Sequence, residues 1–254
     1  MYYPVQIPHL LSPAFRAAVC YQEERIASLS DFCICYWQML PAGEGAAPIN
    51  NIIIADGCID LVVSLDQKQI GFSGTRQTDF HYEIQPQQRF MGLRLKPGAF
   101  HQLTRLPAER AMDRFLPLKQ LFAYFDEDAF FQHEFEEAKE ALINFFHQQI
   151  MDQQADQYTQ LFDHLSKQLP ETVNELCQRL HMSERTCQRQ FKKVYGLSPK
   201  KVLSILRFQK TLTHTHDSLN SAAITEYYDQ SHLIADFKRN IGITPRELLA
   251  YYQK

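Results

Sequence analysis

Five side chains that could contact a nucleic acid lie within nine residues of the C-terminal half. They are Arg185, Gln188, Arg189, Lys192 and Lys193. Arginine and glutamine form bidentate hydrogen bonds with the major-groove edges of guanine and adenine, and lysine neutralises phosphate charge. A basic helix face is also common as a simple solvated surface. The choice between the two interpretations therefore depends on the residues that flank this segment.

The residues that flank these side chains predict a helix with defined ends. Cys187, Phe191 and Val194 recur at helical spacing and give one apolar stripe. Ser183 precedes the first turn, where its hydroxyl can accept a hydrogen bond from a free backbone N–H. Gly196 follows the last turn and can adopt the left-handed conformation that ends many helices. The polar side chains lie off the stripe, so this helix would present them to a partner.

A shorter amphipathic helix is predicted just before it. The apolar positions of residues 172–180 share one face, and His181 and Met182 connect that helix to Ser183. Two short helices with a tight connection, the second of them basic, form a helix-turn-helix. The pattern recurs in residues 217–239, and residues 242–245 (GITP) repeat the ending at residues 196–199 (GLSP). Such a repeat indicates one supersecondary unit used twice.

These residues resemble the DNA-binding domain of the AraC/XylS family of transcription regulators. Residues 180–192 fit the first helix-turn-helix unit of that family, and residues 227–245 fit the second. The resemblance implies two units joined by a long helix, here residues 199–214, and sequence-specific binding to double-stranded DNA. The DNA-binding residues that it implies are Ser183, Arg185, Gln188, Arg189, Lys192, Lys193, Gln230, Ser231, His232, Lys238 and Arg239.

Residues 1–100 contain short runs rich in β-branched and aromatic side chains. Residues 32–40, 58–65 and 89–96 are such runs, and Gly- or Pro-containing turns separate them. Strands of this length and spacing predict a small sandwich or barrel. Residues 55–62 and 92–100 are also similar to an N-terminal, cupin-like β domain found in a subset of AraC-type regulators. That resemblance implies a pocket for a small-molecule effector.

Two basic residues, Arg94 and Lys96, alternate with Leu93 and Leu95 and therefore share one face of the last of these strands. The favoured interpretation is a solvated face or an ion pair with acidic neighbours, since exposed basic residues on strands are ordinary. The alternative is an effector-binding site, in which both residues form an anion-binding wall for a carboxylate or phosphate.

Residues 101–152 are predicted to form a helical linker between the domains at residues 1–100 and 153–254. Its longest helix is expected over residues 126–151, where apolar side chains follow three- and four-residue steps. This stripe would pack on the β domain or pair with the same helix of a second subunit in a homodimer. The expected fold class is α+β, with an N-terminal β sandwich or barrel, a helical linker and an all-α C-terminal domain.

Charge is distributed unevenly along the chain. Residues 154–254 hold 14 Lys and Arg against 10 Asp and Glu, whereas residues 1–153 hold 12 against 19. A basic C-terminal domain on an acidic N-terminal one suits a DNA-binding module that carries a non-binding domain. The sequence shows neither a membrane span nor an export signal, so a cytoplasmic protein is expected. Its expected partners are DNA, a second subunit, a small-molecule effector and RNA polymerase.

A DNA-modifying or repair enzyme is the alternative function, because AraC-type modules also occur fused to alkyl-transfer domains. Such an enzyme needs a reactive cysteine in a Pro-Cys-His type of context, and none of the six cysteines is followed by histidine. A metal centre needs clustered ligands, and His9, His81 and His101 lie far apart in the sequence. We therefore expect no enzyme activity, no catalytic residue, no metal and no cofactor.

Overall fold

The computed structural model describes residues 1–5, 13–43, 47–74, 80–218, 234–235, 237–238 and 241–247. Its N-terminal part is built on antiparallel strands and its C-terminal part is helical, which confirms the predicted α+β fold class. Within these ranges, no helix is both long enough and apolar enough to cross a membrane.

Every strand pair among the described residues of the N-terminal domain is antiparallel. In chain order they are β1 (Val19–Glu24), β2 (Cys33–Pro41), β3 (Ile49–Ile53), β4 (Ile59–Ser64), β5 (Gln69–Ser73), β6 (Phe80–Ile84), β7 (Phe90–Leu95) and β8 (Phe115–Pro117). The larger sheet has the order β1-β2-β7-β4-β5-β8, and β3 pairs with β6 in a second sheet. Gly92 of β7 must be glycine, because a Cβ there would lie 2.7 Å from the Trp37 ring and from the Leu61 carbonyl oxygen.

The helices are short before residue 135 and longer after it. They are α1 (Pro13–Ala18), α2 (Ala99–Thr104), α3 (Glu127–Phe130), α4 (Phe135–Ile150), α5 (Gln157–Lys167), α6 (Val173–Arg179), α7 (Glu184–Tyr195) and α8 (Pro199–Ser218). Single 3-10 turns occur at Ala27–Leu29, Ala108–Arg110 and Leu118–Gln120. Helix α8 begins at Pro199 as predicted, but it continues past residue 214 through residues that were expected to begin another helix.

The segment predicted to be a helical linker differs from that expectation, because it completes the N-terminal domain. Strand β8 pairs with β5 and extends the larger sheet. Leu142 and Phe146 of α4 are buried in one apolar core with Leu61 and Leu93 of the sheet. The apolar stripe is therefore used to cover one face of the sheet, which was one of the two uses left open for it.

The helix expected over residues 126–151 is interrupted between Phe130 and Phe135. Asp126 caps α3, since its side chain accepts a 3.0 Å hydrogen bond from the backbone N–H of Ala129. Glu134 caps α4 in a reciprocal arrangement, in which the Glu137 side chain accepts a hydrogen bond from the Glu134 N–H. Asp126 caps the predicted start, but Glu134 holds an extended backbone inside the predicted range, so the helix is divided there.

Candidate nucleic-acid interface

Helix α7 begins and ends at the residues that the sequence predicted. The Ser183 hydroxyl accepts a 3.2 Å hydrogen bond from the Thr186 N–H, which confirms the N-cap. Gly196 has a φ of 71° and donates its N–H to the Lys192 carbonyl oxygen, which confirms the left-handed end. A side chain at this position would also approach Ala108 and Met112 of the N-terminal domain.

The two faces of α7 differ in burial and in charge. Cys187, Phe191, Val194 and Tyr195 are buried. The exposed residues on the opposite side are Ser183, Arg185, Arg189, Lys192 and Lys193, and Gln188 is partly buried at the border of the two faces. Within the described part of the chain, α7 therefore presents four cations on one accessible face.

A tight turn holds α7 against α6. Thr172 caps α6 by accepting a 3.1 Å hydrogen bond from the Glu175 N–H. His181 takes a positive φ of 51°, and the next N–H, that of Met182, bonds to the Cys177 carbonyl oxygen at 3.0 Å. Cys177 and Cys187 meet in the buried contact between the helices, and burial raises the pKa of the Cys187 thiol to about 12. This is the geometry of a helix-turn-helix.

Part of the second predicted unit lies within the described residues. Gly242 has a φ of 73° and donates its N–H to the Lys238 carbonyl oxygen, as Gly196 does to Lys192. Lys238 is exposed, whereas its neighbour Phe237 is fully buried against Phe208 of α8. The other predicted DNA-binding residues of this unit, Gln230, Ser231, His232 and Arg239, lie outside the described residues.

Arg94 and Lys96, expected either on a solvated strand face or in an ion pair with acidic neighbours, are both buried. The Arg94 guanidinium lies 2.9 Å from Glu23 and 3.7 Å from Asp60, with Asp56 at 4.0 Å. Lys96 pairs at 3.1 Å with Asp163 of α5, a partner that the sequence analysis did not single out. The solvated face is therefore wrong, and the other form of the favoured interpretation, an ion pair with acidic neighbours, is what the structure shows. Effector binding by the two residues remains a prediction, and it would require displacement of these carboxylates.

The carboxylates around Arg94 are in unequal environments. Burial raises the pKa of Asp60 to about 7, although Arg94 is close and the Trp37 indole donates a 3.1 Å hydrogen bond to it. Burial also acts on Glu23, but Arg94 and the hydroxyls of Tyr21 and Tyr3 outweigh it and lower the pKa of Glu23. Burial and charge therefore act in opposite directions on two carboxylates that share Arg94 as a partner: burial dominates at Asp60, and the charge of Arg94 together with the two hydroxyls dominates at Glu23.

Four of the buried cysteines, Cys33, Cys35, Cys58 and Cys187, are in environments that disfavour the thiolate. All six are free, and only Cys20 is exposed. Burial raises the pKa of Cys33, of Cys58 and of Cys35, the last to about 12. A nucleophilic or alkyl-accepting cysteine requires the opposite shift. In the described part of the chain, no three His, Cys, Asp or Glu residues are grouped so that they could hold a metal ion.

Two family models match separate parts of the chain. Residues 176–251 match a family described as a helix-turn-helix domain, and residues 26–117 match a domain of unknown function (DUF6597). Over 77 residues the chain is 35% identical to the HTH-type transcriptional activator RhaS of Escherichia fergusonii. That similarity covers 29% of this chain and 28% of RhaS, so the chain spans less than a third of this relative's length.

A likeness among solved structures is weaker. The crystal structure of an apo ToxT variant from Vibrio cholerae is 10% identical, with a TM-score of 0.39, and the likeness covers 79% of this chain and 88% of that one. A likeness at this level carries no weight for fold or function. The predicted resemblance to AraC-type regulators is instead confirmed by the match at residues 176–251.

Proposed function

We propose that this chain, whose residues 176–251 match a helix-turn-helix domain family, is an AraC-type transcription regulator that binds specific sequences in double-stranded DNA. The observation that carries the proposal is the exposed basic face of α7. A helix of this kind enters the major groove with its N-terminal residues toward the bases.

The side chains of α7 divide into two roles in this proposal. Arg185 and Arg189 read base edges, with Gln188 beside them at the border of the face. Lys192 and Lys193 lie in the last turn and contact phosphates, which contributes affinity without sequence information. Ser183 holds the first turn in shape and is exposed to the same partner.

The N-terminal domain supplies regulation in the same proposal. It would respond to a small-molecule effector or carry the contact of a homodimer, and the DNA-bound protein would act on RNA polymerase in the cytoplasm. Much of the apolar stripe of α4 is buried within the chain. A dimer contact would therefore use a different surface, such as the one around the exposed Tyr124 and Met151. Sedimentation at micromolar concentration tests the homodimer, and a monomeric protein would exclude it.

Selection of bound duplexes from a randomised DNA library by the full-length protein tests the central proposal. We expect a defined motif, with binding to the selected duplex far tighter than to scrambled sequence at the same salt concentration. Arg185→Ala/Arg189→Ala should lose that preference. Lys167→Ala, an exposed cation on α5, is the matched control and should keep it. Recovery of no enriched sequence by the folded wild-type protein would contradict the proposal.

The enzyme alternative has no comparable support. It needs an activated cysteine, and buried thiols with raised pKa values are poor nucleophiles near neutral pH. We therefore propose no catalytic function.

A further inference from the structure

Helix α5, which packs on the first helix-turn-helix unit, is attached to the β domain by polar contacts between buried and partly buried side chains. We call four side chains the polar seam: Lys96 and Gln102 from the N-terminal domain, and Thr159 and Asp163 from α5. The side chains of Lys96 and Asp163 are 7% and 21% exposed, and their charged atoms lie 3.1 Å apart. A charge pair in this setting is weakly screened and geometrically demanding, because each partner has given up water.

Gln102 fixes the beginning of α5. Its amide oxygen accepts hydrogen bonds from the Asp156 N–H at 2.9 Å and from the Thr159 hydroxyl at 3.0 Å. Its amide nitrogen donates to the Gln154 carbonyl oxygen at 2.7 Å. Asp156 in turn caps α5 by accepting from the N–H groups of Tyr158 and Thr159. The start of α5 cannot rotate without breaking this set of hydrogen bonds, of which the one between Thr159 and Gln102 is buried.

The position of α5 constrains the position of α7, because the two helices are in direct contact. The Tyr195 hydroxyl donates to the Tyr158 carbonyl oxygen at 2.7 Å, and the rings of Tyr195 and Phe162 lie 5.2 Å apart. The 3-10 turn Ala108–Arg110 and helix α2 also pack directly on α7. One apolar core joins Ile34 of β2 to Phe162 and Phe191.

We propose that Lys96 and Gln102 are positioning residues for DNA reading: the β domain sets, through the polar seam and α5, the angle at which α7 meets the major groove. This inference rests on the proposed function. Neither residue would touch DNA. A bidentate contact needs two aligned hydrogen bonds, so a small rotation of α7 loses specificity, whereas attraction to phosphate tolerates it.

Coupling through the seam acts in both directions. Any event in the β domain that strains the Lys96–Asp163 pair would change the sequence preference of α7. By thermodynamic linkage, binding of the correct duplex would stabilise the docked arrangement to the same extent.

The test compares full-length wild-type protein with Lys96→Met and Thr159→Val. Each variant removes one polar contact of the seam at nearly constant side-chain length or shape. The measurement is the ratio of affinities for the selected duplex and for a scrambled duplex at fixed salt, together with a repeated library selection. We expect the ratio to fall by about tenfold, within the usual range of coupling between sites, and base preference to weaken. A loss of folded protein alone lowers both affinities equally and leaves the ratio unchanged.

Lys139→Met is the matched control, because Lys139 also forms an ion pair within the N-terminal domain, at 2.8 Å to Glu24, but lies on α4 outside the seam. It should keep the wild-type ratio. If Lys96→Met does not fold, Thr159→Val decides alone. Unchanged ratios and motifs in the folded seam variants would overturn the inference while the proposed function stands. Failure of the wild-type protein to select any sequence would instead contradict the proposed function.

Discussion

The hydroxyl of Tyr195, in the last turn of α7, donates a 2.7 Å hydrogen bond to the carbonyl oxygen of Tyr158 in the first turn of α5. Tyr195 is also buried between the rings of Phe162 and Phe191, at 5.2 and 5.1 Å. The helix that carries the candidate DNA-reading residues is thus held by a helix outside the two-helix motif. The stability and the orientation of α7 consequently depend on residues that the motif alone does not include.

Removal of this hydrogen bond should destabilise the protein. Tyr195→Phe keeps the buried ring but leaves the Tyr158 carbonyl oxygen without this donor, so we expect the free energy of unfolding to fall by about 1 kcal/mol. Urea denaturation of the full chain measures it. Tyr124→Phe is the control. The Tyr124 hydroxyl is bonded to Gln149, but the Tyr124 side chain is exposed, so this variant should change the free energy of unfolding little. Equal effects of the two variants would contradict the importance of the buried bond.

Ser183 allows capping and charge to be separated. Ser183→Ala removes the acceptor for the Thr186 N–H and should cost about 1 kcal/mol of stability. Ser183→Asp preserves the cap, so we expect wild-type stability, but it places a negative charge beside the DNA-facing surface and should weaken binding to all duplexes. Thermal denaturation and duplex titration together test this. An Asp variant that binds as tightly as wild type would place Ser183 away from the phosphate backbone.

Arg189 and Lys193 should differ in the kind of binding energy that they contribute. Arg189→Ala is expected to cost about 1–3 kcal/mol at the selected duplex if the guanidinium pairs with guanine, and much less at scrambled sequence. Lys193→Ala should weaken both equally and lower the salt dependence of binding by about one phosphate contact. Titrations at several salt concentrations separate the two. Unchanged affinity of Arg189→Ala for the selected duplex at fixed salt would exclude it from base reading.

The carboxyl of Asp60 should make stability depend on pH. Its pKa is about 7 in the folded protein and near the ordinary 3.8 when unfolded, so the folded state holds a proton that the unfolded state releases. The stability that this proton binding contributes is fully present below pH 3.8 and is lost as pH rises through about 7. Each pKa unit corresponds to about 1.4 kcal/mol. Between pH 4 and 7 the free energy of unfolding of Asp60→Asn, which cannot ionise, should fall less than that of wild type.

Asp66→Asn is the control for that comparison. The pKa of Asp66 is lowered, because hydrogen bonds and charge from Arg89 outweigh its partial burial. The stability that ionised Asp66 contributes is therefore present above its unfolded pKa and is lost only as pH falls through its lower folded pKa. The slope of the free energy of unfolding between pH 4 and 7 should consequently stay as in wild type. Parallel profiles for wild type and Asp60→Asn would show that Asp60 titrates normally.

Local features of the sequence predicted the helix ends well. The cap at Ser183, the left-handed Gly196 and the start of α8 at Pro199 are confirmed, because each depends on residues within one helical turn. Strands β2, β4 and β7 were also predicted from apolar runs and turns. Strand β8 was not, since three residues carry no periodicity and pair with β5 only after the chain returns to the sheet.

The charged residues show where local reasoning fails. Arg94 and Lys96 alternate with leucines and resemble a solvated strand face, yet both are buried beneath residues distant in the chain. Their partners, Glu23 and Asp163, lie 71 and 67 positions away. No local spacing encodes such pairs, because Glu23 reaches Arg94 across β2 of the same sheet and Asp163 belongs to α5.

The sequence by itself determined the helix-turn-helix and the ends of the helix proposed to meet DNA: capping, apolar spacing and a repeated ending are short-range properties, and they act in any context. Only the tertiary structure decided which residues of the β domain and of α5 support that helix. Lys96 meets Asp163 and Gln102 meets Thr159 because the β domain and α5 share one interface, and burial there turns ordinary polar residues into obligatory partners.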